Sequence, residues 1–152
     1  MNRTLTLAAA ALALFAAGTV SAHQGAQGVV KQRMDAMKDT SARMKSINGA
    51  IRKGSDRDAE SLAADAEQIA VHAAEISELF PEGSTSEVSE ARRAIWQENA
   101  EFLDMADMMA RRAARVAEMA RVGTEDTTLQ AAFARLGESC KSCHTRFRMK
   151  KQ

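Results

Sequence analysis

The chain is 152 residues long, 45% hydrophobic and 4% aromatic, with 21 Lys+Arg against 20 Asp+Glu, one Pro and no Tyr. That length suits one domain, the shortage of aromatic residues disfavours a sheet-rich fold, and the balanced charge leaves no cationic surplus for a nucleic-acid backbone. The two cysteines, Cys140 and Cys143, lie three apart and so cannot be a framework of disulfides stapling a small scaffold.

At the N-terminus, Arg3 precedes an apolar run over residues 5–17, and Val20, Ser21 and Ala22 supply small residues for a cleavage site. The run falls short of the about 20 residues a membrane-spanning helix needs. Residues 1–22 therefore read as a signal peptide and 23–152 as the mature domain, with no membrane attachment after cleavage. Arg3 is the only charged side chain removed, so the mature chain carries equal numbers of acidic and basic residues. Export points to a bacterial periplasm, where two neighbouring free thiols persist only if something uses them.

Glycine, proline and capping residues divide the mature chain into four stretches, predicted as helices over 29–53, 58–79, 87–122 and 126–150. Each has an apolar seam spaced by fours and threes. The first runs Val30, Met34, Met37, Ser41, Met44, Asn48, Ile51, and the second Leu62, Ala66, Ile69, Ala73, Ile76, Phe80. The third runs from Val88 and Ala91 through Ile95, Asn99 and Phe102 to Ala120, and the fourth Leu129, Phe133, Leu136, Cys140, Cys143, Phe147. One seam per helix and short connections predict an all-α fold, an antiparallel up-down-up-down four-helix bundle. Its seams are rich in Ala and poor in aromatics, which leaves room for a bulky apolar cofactor or makes a thin bundle. Gly137 in the last helix predicts a close approach of its backbone to another helix or to a cofactor ring.

The chemistry lies in Cys140-Lys141-Ser142-Cys143-His144. Two thiols add to the vinyl groups of haem as thioethers, and the adjoining imidazole ligates the iron, so the pattern predicts covalent haem c. On a helix, positions i, i+3 and i+4 share one side. A redox disulfide would normally open a helix in a βαβ unit, and a zinc site would lack its second ligand pair. The second axial ligand has several candidates. His23 and His72 are poor ones, and the methionines of the third helix read as packing. Met34 and Met37 stand where the first helix begins, the end of an up-down bundle at which the fourth helix finishes.

Arg33-x-x-x-Met37, Trp96 and Cys140-x-x-Cys143-His144-x-x-Phe147-Arg148 together resemble the cytochrome c prime family across essentially the whole mature chain. The resemblance implies haem near one end of the bundle, often homodimeric assembly, and Arg33 against a haem propionate. A methionine at position 37 is similar to the low-spin His/Met branch, the cytochrome c-556 type, with His144 and Met37 as iron ligands; Met34 lies out of phase. The function expected is periplasmic electron transfer to partners the sequence does not identify, without catalytic turnover. The alternative is a five-coordinate, high-spin protein that binds NO or CO. Arg148, with Arg146 and the terminal lysines, reads either as a residue on the proximal side of the haem or as part of a solvated basic tail.

Overall fold

The first helix, α1 (Gly28–Ile51), buries Val30, Arg33, Thr40, Ile47 and Ile51, with Met37 and Met44 half-buried between them. The spacing is a strict alternation of three and four, as in a coiled-coil seam. The computed structural model describes residues 26–150, so the predicted signal peptide lies outside the described residues. The seam corrects the expected phase at three positions. Thr40 is buried and Ser41 exposed, Ile47 is buried and Asn48 exposed, and Arg33 is more deeply buried than its neighbour Met34. At each of these points the helix makes a three-residue step where the expected seam has a four.

The second helix, α2 (Ala59–Ala74), starts where Asp58 Oδ1 accepts a hydrogen bond from the Ser61 amide at 3.1 Å, satisfying one of the free donors of the first turn. Leu62, Ala63, Ala66, Ile69 and Ala73 are its buried face. A turn at Glu75 leads into the short α3 (Ile76–Leu79), and the chain leaves the helix before Pro81.

The third stretch departs most from expectation. Residues 87–93 are not helical, and helix resumes only as α4 (Ala94–Gln97) and, past Glu98, as the long α5 (Asn99–Arg121). Serine competes locally for the backbone here: the Ala91 amide donates to Ser89 Oγ at 3.3 Å. The last residues of the chain supply the other partners. Arg92 N donates to Phe147 O at 2.9 Å and Met149 N to Glu90 O at 2.7 Å, forming an isolated antiparallel bridge between Ala91 and Arg148. The same bridge ends α6 (Asp126–Phe147) at Phe147, three residues before the predicted stop, because Arg148 is already extended.

α1 packs on α2, α2 on α5 and α5 on α6, while α6 returns to α1. These four main helices form the bundle. The core falls into two clusters. One holds Ile47, Leu62, Ile69, Val116, Leu129 and Leu136 toward the end where α1 finishes; the other holds Ile76, Ile95, Phe102, Ala106 and Phe147. At the first end Arg57 reaches across two turns, donating to Gly54 O at 2.8 Å and Thr124 O at 3.3 Å and pairing with Asp126. Among the described residues no helix is long and apolar enough to cross a membrane.

Leu136 is completely buried, whereas Met108 is 42% exposed despite its expected packing role. Leu136→Ala should cost about 2–5 kcal/mol in a denaturant titration of the holoprotein, and Met108→Ala within about 0.5 kcal/mol of zero.

Candidate functional site

The last turns of α6 carry Cys140, Cys143 and His144 at the i, i+3, i+4 spacing that puts them on one side. Arg112 of α5 fixes this segment, donating to Arg135 O at 2.8 Å and to the buried Ser139 Oγ at 2.9 Å. Both cysteines are free and half-buried, with Cys140 Sγ reaching Leu136 O at 3.7 Å. Burial pushes both thiols up. Cys143, with Cys140 beside it, is pushed to about 11. A C-x-x-C redox centre works through a stabilised thiolate, so raised thiols are the wrong electrostatics for that chemistry.

His144 is exposed at the residue level, yet its ring lies against enough protein for desolvation to lower its pKa. The Arg148 charge acts in the same direction and Glu90 opposes it. Desolvation and Arg148 together favour the neutral imidazole, the form that ligates a metal.

Met37 packs in the same apolar cluster as Cys143, together with Ile76, Phe80, Ile95, Trp96 and Phe102. Met34 is half-buried but belongs to neither cluster. The start of α1 and the end of α6 therefore meet, as the up-down topology requires. His72 is elsewhere, in a groove between α1 and α2, where Nε2 lies 2.8 Å from Asp39 Oδ2 and Nδ1 lies 3.7 Å from Glu75 Oε2. Among the described residues no group of three or more His, Cys, Asp and Glu side chains is arranged to hold a metal ion.

Arg33 is 4% exposed. Its Nη2 donates to Ser84 Oγ at 2.5 Å, and its guanidinium carbon stands 4.2 Å from the centre of the Phe80 ring. Nε and Nη1 are buried without a hydrogen-bond partner. Desolvation lowers the pKa of Arg33, but a guanidinium stays protonated at any physiological pH. A buried cation with unused donors is costly, and a carboxylate satisfies it best. Phe80 meets Phe102 edge-on at 4.9 Å, and Phe102 meets Phe147 at 5.2 Å, so a row of rings joins Arg33 to the turn bearing His144. Haem c combines carboxylates with a broad apolar ring. The free donors of Arg33 suit the first, and the cluster around Met37 and Cys143 suits the second.

Three neighbouring residues bear on alternatives the sequence left open. Arg146 pairs with Glu98 at 2.5 Å and Glu101 at 2.9 Å, and Arg148 pairs with Glu90 at 2.5 Å, so neither belongs to a merely solvated tail. A Cβ on Gly137 would meet no protein atom within 4 Å, so no helix approaches it closely. Ser84, Phe80 and Glu90 gave no sequence signal as site residues, because each acts on a partner more than 40 residues away.

Residues 28–148 match the sequence profile of the family described as Cytochrome C'. A cytochrome c-554 from Cereibacter sphaeroides is 36% identical over 108 residues, covering 68% of this chain and 69% of that protein. A cytochrome c-556 from Agrobacterium tumefaciens is 32% identical over 125 residues, 82% of this chain and 99% of that one. Among solved structures, the nitric oxide complex of a variant cytochrome c prime from Alcaligenes xylosoxidans superposes with a TM-score of 0.71 at 26% identity, covering 81% of this chain and 94% of its own. With a family profile that spans nearly the whole described chain and relatives at these identities, the chain belongs to the cytochrome c' family, and its cofactor is covalently bound haem c.

Proposed function

We propose that this protein is a periplasmic electron carrier in which His144 and Met37 are the two axial ligands of the haem iron. The supporting observation is that Met37 of α1 shares its apolar cluster with Cys143, an attachment residue of α6. When bound, haem c supplies a one-electron ferric/ferrous couple. Cys140 and Cys143 tether the group to α6. His144 would provide an imidazole from the same helix turn and Met37 a thioether from α1, a ligand type that favours the ferrous state. Arg33, with Nε and Nη1 unused, would hold and neutralise a haem propionate. Phe80, Phe102 and Phe147 pack edge-on in that end of the core, apolar surroundings of the kind that would hold solvent reorganisation down as charge changes. No catalytic turnover is part of this reading. Export of the chain with removal of residues 1–22 is part of it, as is a homodimeric assembly on the family resemblance.

A second reading is a five-coordinate protein that binds NO or CO. It draws on the nitric oxide complex of the Alcaligenes relative. It requires a high-spin spectrum of the unmodified holoprotein.

Visible absorption and electron paramagnetic resonance separate the two. The wild-type holoprotein should be low-spin in both oxidation states. Met37→Ala should become high-spin and gain ferrous CO binding, and a low-spin spectrum that survives this substitution overturns the ligand assignment. Arg33→Gln should lower the midpoint potential, since an uncompensated propionate favours ferric iron, by an amount on the order of 1 kcal/mol at an effective dielectric of about 20. Potentiometric titration measures it.

A further inference from the structure

The connector between α3 and α4 does more than join two helices. Trp96 Nε1 donates to Phe80 O at 3.1 Å and to Pro81 O at 3.0 Å, which ties the start of the connector to α4. Gly83 then adopts φ +72°, in the left-handed region that favours glycine, and the turn closes with Ser84 N donating to Pro81 O at 3.1 Å and Thr85 N to Gly83 O at 2.7 Å. This turn brings Ser84 to α1, where its hydroxyl oxygen accepts from Arg33 Nη2 at 2.5 Å. The same connector lays the Phe80 ring against the guanidinium face. Arg33 is therefore gripped at one nitrogen and on one face by a single short segment, with Nε and Nη1 left over.

An arginine has many rotamers, and holding its head in one place costs side-chain entropy at the moment a carboxylate binds. A hydroxyl already bonded to Nη2 and a ring already under the plane remove most of that cost beforehand. We infer that Ser84 is a positioning residue that fixes Arg33 for the haem carboxylate and so helps set the reduction potential. The inference rests on the pairing of Arg33 with a propionate proposed above. It does not depend on whether Met37 ligates the iron.

The test is a double-mutant cycle on the holoprotein, read as midpoint potential by spectroelectrochemistry with the spin state recorded in parallel. Ser84→Ala should shift the potential downward, as Arg33→Gln does, but by only part of that shift. Ser84→Thr, which retains the hydroxyl, should stay near the wild-type value. Ser84→Ala added to Arg33→Gln should produce no further change, because its effect passes through the arginine. An unshifted potential in Ser84→Ala, or the same shift in both backgrounds, overturns the positioning role. An unshifted potential in Arg33→Gln alone overturns the propionate pairing instead, and a high-spin wild-type spectrum overturns only the Met37 assignment. If Arg33→Gln does not accumulate, Arg33→Lys serves as the background, since an ammonium keeps the charge but loses the planar head that Ser84 and Phe80 hold.

Discussion

A guanidinium buried against the ring of Phe80 constrains one whole end of this bundle. Arg33 occupies a seam position of α1 that an aliphatic residue would fill in an ordinary helical core. Its charge is tolerable only if every donor finds a partner, and the protein itself provides for just one nitrogen. The neighbouring residues are arranged accordingly. Phe80 lies across the guanidinium face, Met37 follows one turn further along α1, and Cys143 enters the same cluster from α6. An acidic, flat, apolar group answers all of these at once, so fold and cofactor are coupled at this end.

The two ends of the bundle are built differently. Where α1 finishes, the core is aliphatic and alanine-rich, and Arg57 joins the two adjacent turns through backbone carbonyls and Asp126. That end is closed by protein atoms, with the buried Arg57 Nε left without a hydrogen-bond partner. The other end is aromatic, with its carbonyls and carboxylates drawn from the connector and the chain terminus. Chemistry is concentrated where the packing is least self-sufficient.

The sequence made some of this plain. The thiols and imidazole of α6 are legible because the spacing is local and helical geometry turns it directly into a shared face. The seams of α2 and α6 are legible because Leu62, Ile69, Leu129 and Leu136 admit one phase only. In α1 the phase was ambiguous: Thr40 and Ser41 are equally plausible, and a rule that puts methionine inside and arginine outside misjudges Met34 against Arg33. Residues 87–93 have a helical pattern, but their backbone partners come from the far end of the chain. Ser89, which accepts from the Ala91 amide, is the one local sign of that competition. No such sign marks Ser84, whose bond to α1 spans 51 positions.

The connector at residues 80–93 holds the site from two directions. Near its start Ser84 bonds to α1, and near its end Glu90 and Arg92 pair with the strand-like exit of α6. Surface loops ordinarily accept insertions and deletions with little effect. Between these two grips that freedom is gone, since one residue more or fewer would put Ser84 and the Ala91–Arg148 bridge out of step with each other. The loop thus acts as a ruler, its length setting the distance between the grip on α1 and the grip on the exit of α6.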